Sequence, residues 1–457
     1  MSKNEILNSA DFSPVTNPEK AVAIARPSLS YWQDAWIRLK DNKRALVSLY
    51  IISGLLVFST VGPTIWNVDP ATQDLNQISQ PPGANRIAII VNDYTQWDIK
   101  SAEMAKNGAI LFESPTTQSV RLLWSEVPEA SSYIIYRSIM PFKKNTPPGI
   151  PLAEVLAGQP KAFEDLLDLT PNTYYYTISA LTSSGETILD QQIKADVIRV
   201  ITAIEAINEG YVADDEYPEI GSKVLLHLHP LGTDTLGRDI LSRLMQGARI
   251  SLFIGVFAPA IFMLFGVIYG SVAGFIGGTI DQVLMRFADF VVALPFLLFM
   301  ILFKILFDIG AGESGIAAMI LAMILLSWPG TARLVRGQVL QIREAGYIEA
   351  SRLLGIRHTQ LIVRHILPNT MGVILVTFTF AIPSAIFTEA FLSFIGMGVV
   401  PPAASWGSMC NEGIKTMLST PHELLFPALF ISATVLAFNL LGDGLRDALD
   451  ARLRSSE

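Results

Sequence analysis

Tyr347-Ile-Glu-Ala-Ser-Arg-Leu-Leu-Gly-Ile-Arg-His-Thr-Gln-Leu-Ile-Val-Arg-His-Ile-Leu-Pro-Asn369 is a polar, arginine-studded stretch between two apolar blocks. A loop that merely returned the chain to a bilayer would need only a few arbitrary polar residues. This one has Leu and Ile at helix spacing, a central Gly355 and a terminal Pro368. Gly355 is expected to end one short helix in a left-handed conformation. Residues 357–366 then start a second helix, which Pro368 is expected to stop ahead of the next apolar block. On the first helix Glu349 and Leu353 fall on one side, with Ala350 and Leu354 beside them. Such organisation reads as a surface for a partner to dock on.

The apolar blocks around it set the class. The chain has 457 residues, 51% of them hydrophobic and 16% charged, and a span of roughly 20 apolar residues crosses a hydrocarbon core. Six candidates lie at about 45–66, 250–272, 284–307, 314–332, 371–395 and 424–442. The first follows more than forty residues, too many for a cleaved signal. Arg333, Arg336, Arg343, Arg352, Arg357 and Arg364 cluster between the fourth and fifth, and Arg446, Arg452 and Arg454 follow the sixth. By the positive-inside rule those regions and the N-terminus are cytoplasmic, leaving 67–248 external. Arg238, Arg243 and Arg249 run against the rule. Net charge is −8, and the basic residues flank spans instead of forming one patch, so no nucleic acid is expected.

Residues 1–44 read as a loose arm followed, from Trp32 and Trp36 onward, by an interfacial helix or an ordinary polar entry to the span. Between about 106 and 200 the pattern changes to alternation. Val120, Leu122 and Trp124 share one face, and Tyr174, Tyr176, Ile178 and Ala180 share another; both are expected to face a core. Pro128, Pro147-Pro148-Gly149, Pro171-Asn172 and Gly185 supply the turns of an all-β sandwich. This part resembles a fibronectin type III domain, in 122–138 for strands B and C and in Leu169-Thr-Pro-Asn-Thr-Tyr174 for the E–F turn, which is one residue shorter than usual. The whole external insert is 82–226. Tyr133, Tyr136 and the acidic 214–216 motivate a contact with a binding protein or another envelope component; a tolerated insertion is the alternative.

With the insert set aside, 31–75 and 227–454 resemble the inner-membrane permeases of peptide-type ABC importers, of the dipeptide, oligopeptide and nickel kind. The resemblance rests on His229-Pro-Leu-Gly-Thr-Asp-Thr-Leu-Gly-Arg-Asp-Ile-Leu-Ser-Arg243, Gly247-Ala-Arg-Ile-Ser251, Ser327-Trp-Pro-Gly330, Ser393-Phe-Ile-Gly-Met-Gly398, Ser405-Trp-Gly407 and the segment 438–450. The opening stretch is similar to the family's ATPase-docking motif, carried here by Glu349, Ala350, Ser351, Gly355, Leu367 and Pro368, with Ser351 in place of a second alanine. The implied fold is mainly α, a six-span permease with an inserted sandwich. The 227–457 core would hold five of the spans, and 333–370 would be the docking loop. The implied partners are a second homologous permease, two cytoplasmic ABC ATPases, an external solute-binding protein and membrane lipid. The implied cargo is short peptides, with nickel chelates or other small solutes as the alternative.

No Gly-x-x-x-x-Gly-Lys-Ser/Thr loop occurs. The chain is therefore expected to bind no cofactor, ATP and Mg being used by the partner ATPases. It is expected not to be an enzyme, with neither catalytic nor metal residues, since His227 and His229 alone specify little. Gly266, Gly270, Gly274 and Gly278 form a small-residue stripe for helix packing. Glu389 is the most deeply intramembrane acid and the candidate for the substrate pathway. A membrane-anchored adhesion or receptor protein is the competing class, using the sandwich as its working part.

Overall fold

The computed structural model describes residues 31–99, 105, 108–142, 147–212, 217–310 and 313–449. The expected arm over 1–30, the acidic 214–216 and the basic residues Arg452 and Arg454 lie outside them. Two compact units result: one from the described residues of Met1–Ala71, Ser242–Met417 and Glu423–Glu457, the other from those of Thr72–Leu241 and Leu418–His422.

The first unit opens with helices α1 (Tyr31–Asp41), α2 (Lys43–Thr60) and α3 (Gly62–Ile65). Asn42 separates the first two, and its Oδ1 accepts from the backbone N–H groups of Arg44 and Ala45 at 3.2 and 3.3 Å. That cap satisfies donors that a helix start leaves open.

Among its described residues the second unit holds ten strands, and seven of them form two facing sheets. Strands β2 (Ala109–Leu111), β3 (Val120–Trp124) and β6 (Ala162–Asp165) form one, in the order β2-β3-β6. Strands β4 (Ser132–Ser138), β5 (Ile150–Leu156), β7 (Thr173–Leu181) and β8 (Thr187–Asp196) form the other, in the order β5-β4-β7-β8. Val120, Leu122, Trp124, Tyr176, Ile178 and Ala180 are all buried in one core between the sheets. Tyr133 belongs to the same core at 1% exposure, its hydroxyl accepting from the backbone N–H of Val127 at 2.8 Å. It is therefore unavailable for the partner contact expected of it: β4 alternates, so Tyr133 and Ile135 point inward together. Asp165 is buried but satisfied, accepting from Tyr176 Oη at 2.7 Å and Arg137 Nη1 at 2.8 Å.

Outside the sandwich, β1 (Ile87–Val91) pairs antiparallel with β10 (Lys223–Leu225) and parallel with β9 (Val200–Thr202). Helix α4 (Ala203–Asn208) follows β9 directly. Ala88, Ile90, Ile201, Ala203, Ala206, Val224 and Leu226 form this small sheet's own core. The segments flanking the sandwich in sequence thus close on each other.

Beside this sheet, Asp74 accepts from Gln77 Nε2 at 2.8 Å and from Tyr211 Oη at 2.5 Å, while His229 Nδ1 lies 3.0 Å from Asp239 and its Nε2 4.0 Å from Asp74. Burial alone would lower the imidazole pKa; the hydrogen bond to Asp239 and the nearby carboxylate charges of Asp239 and Asp74 outweigh it and raise it to about 9. A His raised above its unfolded value adds stability that is complete below about pH 6.5 and is lost as pH rises through about 9. After allowance for solvent screening this amounts to about 1–3 kcal/mol. The unfolding midpoint of the purified chain is expected to fall between pH 7 and 10, and His229→Gln to flatten that fall. An identical slope in the variant would contradict the assignment.

The remaining helices are α5 (Ile240–Ile276), α6 (Gly278–Val292), α7 (Phe296–Leu306), α8 (Ile316–Arg343), α9 (Gly346–Leu353), α10 (His358–Leu361), α11 (Leu367–Phe394), α12 (Trp406–Gly413) and α13 (His422–Leu449). Among the described residues five helical runs are long and apolar enough to cross a membrane: Lys43–Thr60, Ile240–Ile276, Ile316–Arg343, His358–Phe394 and His422–Leu449. The expected span 284–307 is instead broken: α6 and α7 meet at 79° and make a sixth crossing only if counted together. The break falls at Leu294-Pro295, because proline disfavours helical geometry in the residue before it and offers no N–H itself.

The three arginines that run against the positive-inside rule have structural partners. Arg238 Nε bonds Asp234 at 2.8 Å, Arg243 binds Glu412 through two nitrogens at 2.7 and 3.2 Å, and Arg249 Nε donates to the carbonyl of Ser59 at 2.5 Å. Two of these charges are paired with carboxylates, so the positive-inside rule reads a sequence excess that the fold largely neutralises.

Candidate functional site

The stretch 347–369 folds as a bent pair of short helices seated on the ends of α5 and α8. Ile348, Leu361 and Ile366 are fully buried with Phe275, Val335 and Val339. Burying each such side chain contributes about 1.5–3 kcal/mol, so the pair is a fixed part of the fold. Arg352 stacks on the Phe275 ring at 5.6 Å, and Ser351 Oγ donates to the carbonyl of Tyr347 at 2.8 Å. Tyr347 Oη accepts in turn from Asn369 Nδ2 at 3.2 Å, tying the two ends of the stretch together.

Gly355 sits just beyond α9 at φ +79°. The N–H of Gly355 bonds the carbonyl of Arg352 at 3.0 Å, and that of Ile356 bonds Ser351 at 3.4 Å. These two crossed bonds are the Schellman closure, which needs a left-handed residue between them. The second half departs from expectation. Pro368 does not stop the helix: α10 passes through a π-helical turn, Ile362–Ile366, straight into α11, with Pro368 in the first turn of the latter. A wider turn with i→i+5 bonds accommodates a ring that would otherwise clash with the carbonyl four residues back. Leu367 and Pro368 line an open groove of about 1230 Å³ together with Trp32, Val363 and Phe380.

Glu349 and Ala350 are exposed on α9. The larger surface beside them is apolar: Leu353 is 85% and Leu354 82% exposed, with Val363 at 62%. Sequence spacing placed these leucines on the helix but could not show them uncovered. The signal was present in the two adjacent Leu, since an eight-residue helix that already buries Ile348 has no second core to give them.

Two arginines of α8 hold the base of the site. Arg336 forms a bidentate pair with Asp281 of α6 at 2.5 Å for both contacts, and Arg343 Nη1 donates to the carbonyl of Gly274 at 3.1 Å, near the end of α5. The glycine stripe meets α8 directly. A Cβ on Gly266 would lie 2.7 Å from the Trp328 carbonyl, on Gly270 2.3 Å from that of Ala332, and on Gly274 2.9 Å from that of Arg336. Gly278 is not part of this contact. Nothing lies within 4 Å of its Cβ position, and with φ +61° it serves the turn between α5 and α6.

Glu389 lies in α11, away from the loop, at 0% exposure. It accepts from Ser251 Oγ at 2.7 Å and Ser393 Oγ at 2.9 Å. The Ser251 bond ties α11 to α5, the Ser393 bond stays within α11, and Glu389 lines neither the groove at Pro368 nor the cavity at Arg199. His227 packs against Tyr211 with ring centres 4.6 Å apart and ring planes tilted by 46°, while His229 faces Asp74 and Asp239, so the two histidines do not converge on one point.

Residues 266–455 match the model of the binding-protein-dependent transport system inner membrane component, and residues 30–82 that of the N-terminal TM domain of oligopeptide transport permease C. The chain is 50% identical over 226 residues to the oligopeptide transport system permease protein OppC of Bacillus subtilis (strain 168), covering 50% of this chain and 72% of the relative. It is 51% identical to the dipeptide permease DppC of the same strain over 50% of this chain and 69% of that one. Against the glutathione permease GsiD of Pectobacterium atrosepticum the identity is 44%, over 50% and 74%. An inward-facing structure of the MetNI methionine ABC transporter aligns with TM-score 0.36 and 18% identity, covering 45% of this chain and 96% of its own. The chain belongs to the binding-protein-dependent inner-membrane component family, as a multi-pass ABC importer permease of the oligopeptide, dipeptide and glutathione permease type that is not itself an enzyme.

Proposed function

We propose that this permease forms, with a second homologous permease, the membrane pathway for short peptides delivered by an external binding protein. Two ABC ATPases serve the pair and use ATP with Mg, one of them docking on 347–369 of this chain. The observation that carries the docking is the pair Leu353 and Leu354, uncovered on a helix whose opposite face is locked down by Ile348. Apolar residues of that exposure on a rigid element suit a protein partner. The loop and both termini are then cytoplasmic and 67–248 external.

The identities to oligopeptide and dipeptide permeases support peptides as cargo. Glutathione, itself a small peptide, falls within the same reading through the third relative. The sandwich is read as fibronectin type III-like. Its three-plus-four strand order supports this, as does Tyr174, whose hydroxyl accepts from the backbone N–H of Thr170 at 3.2 Å in the manner of a tyrosine corner.

Proteoliposomes holding both permeases, the ATPases and the binding protein are expected to accumulate labelled di- to pentapeptides when ATP is supplied, and unlabelled peptide to suppress this. Accumulation of nickel chelate without any of peptide would refute the cargo. A chain with 86–222 replaced by a short linker tests the insert in the same assay: unchanged uptake and unchanged binding-protein affinity would leave it no role in delivery.

A further inference from the structure

The inserted unit contains a buried guanidinium with too few partners. Arg199 immediately precedes β9 and is 5% exposed. Its Nη1 donates to the carbonyl of Asn85 at 2.8 Å, and its Nε is buried with no hydrogen-bond partner. Among the described residues no carboxylate is in ion-pair contact with it; Asp74 acts on it through space alone. A guanidinium keeps its charge at any physiological pH, and a buried charge with one neutral acceptor in contact and a carboxylate acting only at a distance is costly. Folds retain such groups where an anion completes them.

Arg199 lines a cavity of about 350 Å³ whose wall also includes Asn76, Gln80, Thr117, Asp168 and Glu205. That volume falls in the range of small-ligand pockets. The two acids are exposed in the wall and mark it with the opposite charge, Glu205 keeping one carboxylate oxygen for a ligand because the other accepts from the N–H of Thr202 at 2.9 Å, while Thr117 is occupied in fixing β9 through the N–H of Val200 at 3.0 Å. The edge of β9 is therefore closed to an added strand at that point, and the free hydrogen-bonding capacity is in side chains.

We propose that this cavity binds a zwitterion of amino-acid to dipeptide size, its carboxylate on Arg199 and its ammonium toward Asp168 and Glu205. The site is separate from the membrane pathway and does not depend on which solute that pathway carries. Planar guanidinium–carboxylate pairing gives it selectivity for the acid over the amide, since the amide leaves the buried charge unmet.

The test is equilibrium binding of alanine, Ala-Ala and Ala-Ala amide to the full chain in lipid nanodiscs. Wild type is expected to bind Ala-Ala or alanine saturably and the amide about tenfold more weakly or worse. Arg199→Met should abolish that discrimination without lowering the thermal midpoint, because an apolar side chain of similar volume removes an incompletely compensated buried charge. Arg199→Lys should retain a weakened preference for the acid. Equal affinity for acid and amide, no saturable binding, or acid-selective binding that survives in Arg199→Met would each overturn the proposal. In the last case the ligand sits in the membrane pathway, and the import reading stands while this one falls. Failure of peptide uptake with Arg199-dependent binding intact would do the reverse.

Discussion

A permease carrying both Leu353→Asp and Leu354→Asp is expected to reach the membrane in normal amount, pair with its second permease and lose ATP-driven uptake. Both side chains are more than four-fifths exposed, so the isolated subunit loses no core contact. In the assembled importer they would be buried against the ATPase, where a central apolar anchor contributes about 2 kcal/mol or more. Losing two weakens docking by about a thousandfold, and a carboxylate forced into that contact adds a desolvation penalty. Glu349→Lys and Gly355→Pro should act in the same direction. Proline cannot adopt the φ of +79° that the closure of α9 requires. Co-purification with the ATPases and solute-stimulated ATP hydrolysis are the readouts. Wild-type hydrolysis in the double variant would remove the loop from the coupling path.

Gly270→Leu is expected to be the most damaging single change in the membrane unit. Its Cβ would sit 2.3 Å from the backbone carbonyl of Ala332, and backbone cannot swing aside as a long side chain can. Overpacking of this kind costs about 1–3 kcal/mol for a modest insertion and more for a leucine against backbone. The comparison that isolates packing is with Gly330→Ala and Gly337→Ala in α8, where nothing lies within 4 Å. Those two should be neutral or stabilising by about 0.5–1 kcal/mol, as alanine favours the helix. Thermal unfolding of the purified protein separates the cases. A Gly270→Leu midpoint equal to wild type would mean that α5 and α8 are not in contact in the membrane.

These two sites differ in how far a reader of the sequence could see them. Gly355 announced itself, because a glycine between two helix-period runs has one common structural use. Tyr176 and Leu122 were equally readable from strand alternation. Tyr133 was misplaced: an aromatic suggested a binding surface, yet the same alternation assigns it inward. Pro368 was misread because proline ends most helices, and the π turn that absorbs it is a backbone adjustment with no residue signature of its own. Leu294-Pro295 carried the signal for the broken third crossing, but a hydropathy window averages composition and is blind to direction. The pairings of Arg243 with Glu412 and Arg336 with Asp281 join residues 169 and 55 positions apart, beyond the reach of any local pattern. Arg199 was invisible for a related reason, since an absent partner can be recognised only once the neighbours are in place.

The uninterrupted passage from α10 into α11 makes the loop one end of a rod. The run His358–Phe394 contains 37 residues, and at about 1.5 Å per residue Glu389 stands about 45 Å along it from His358. Near that far end Ala390 meets Gly407 so closely that a Cβ there would lie 2.4 Å from the Ala390 carbonyl. Contact that tight leaves no slack between the two segments, so an axial shift imposed at the loop and passed along the helix would carry α12 with it.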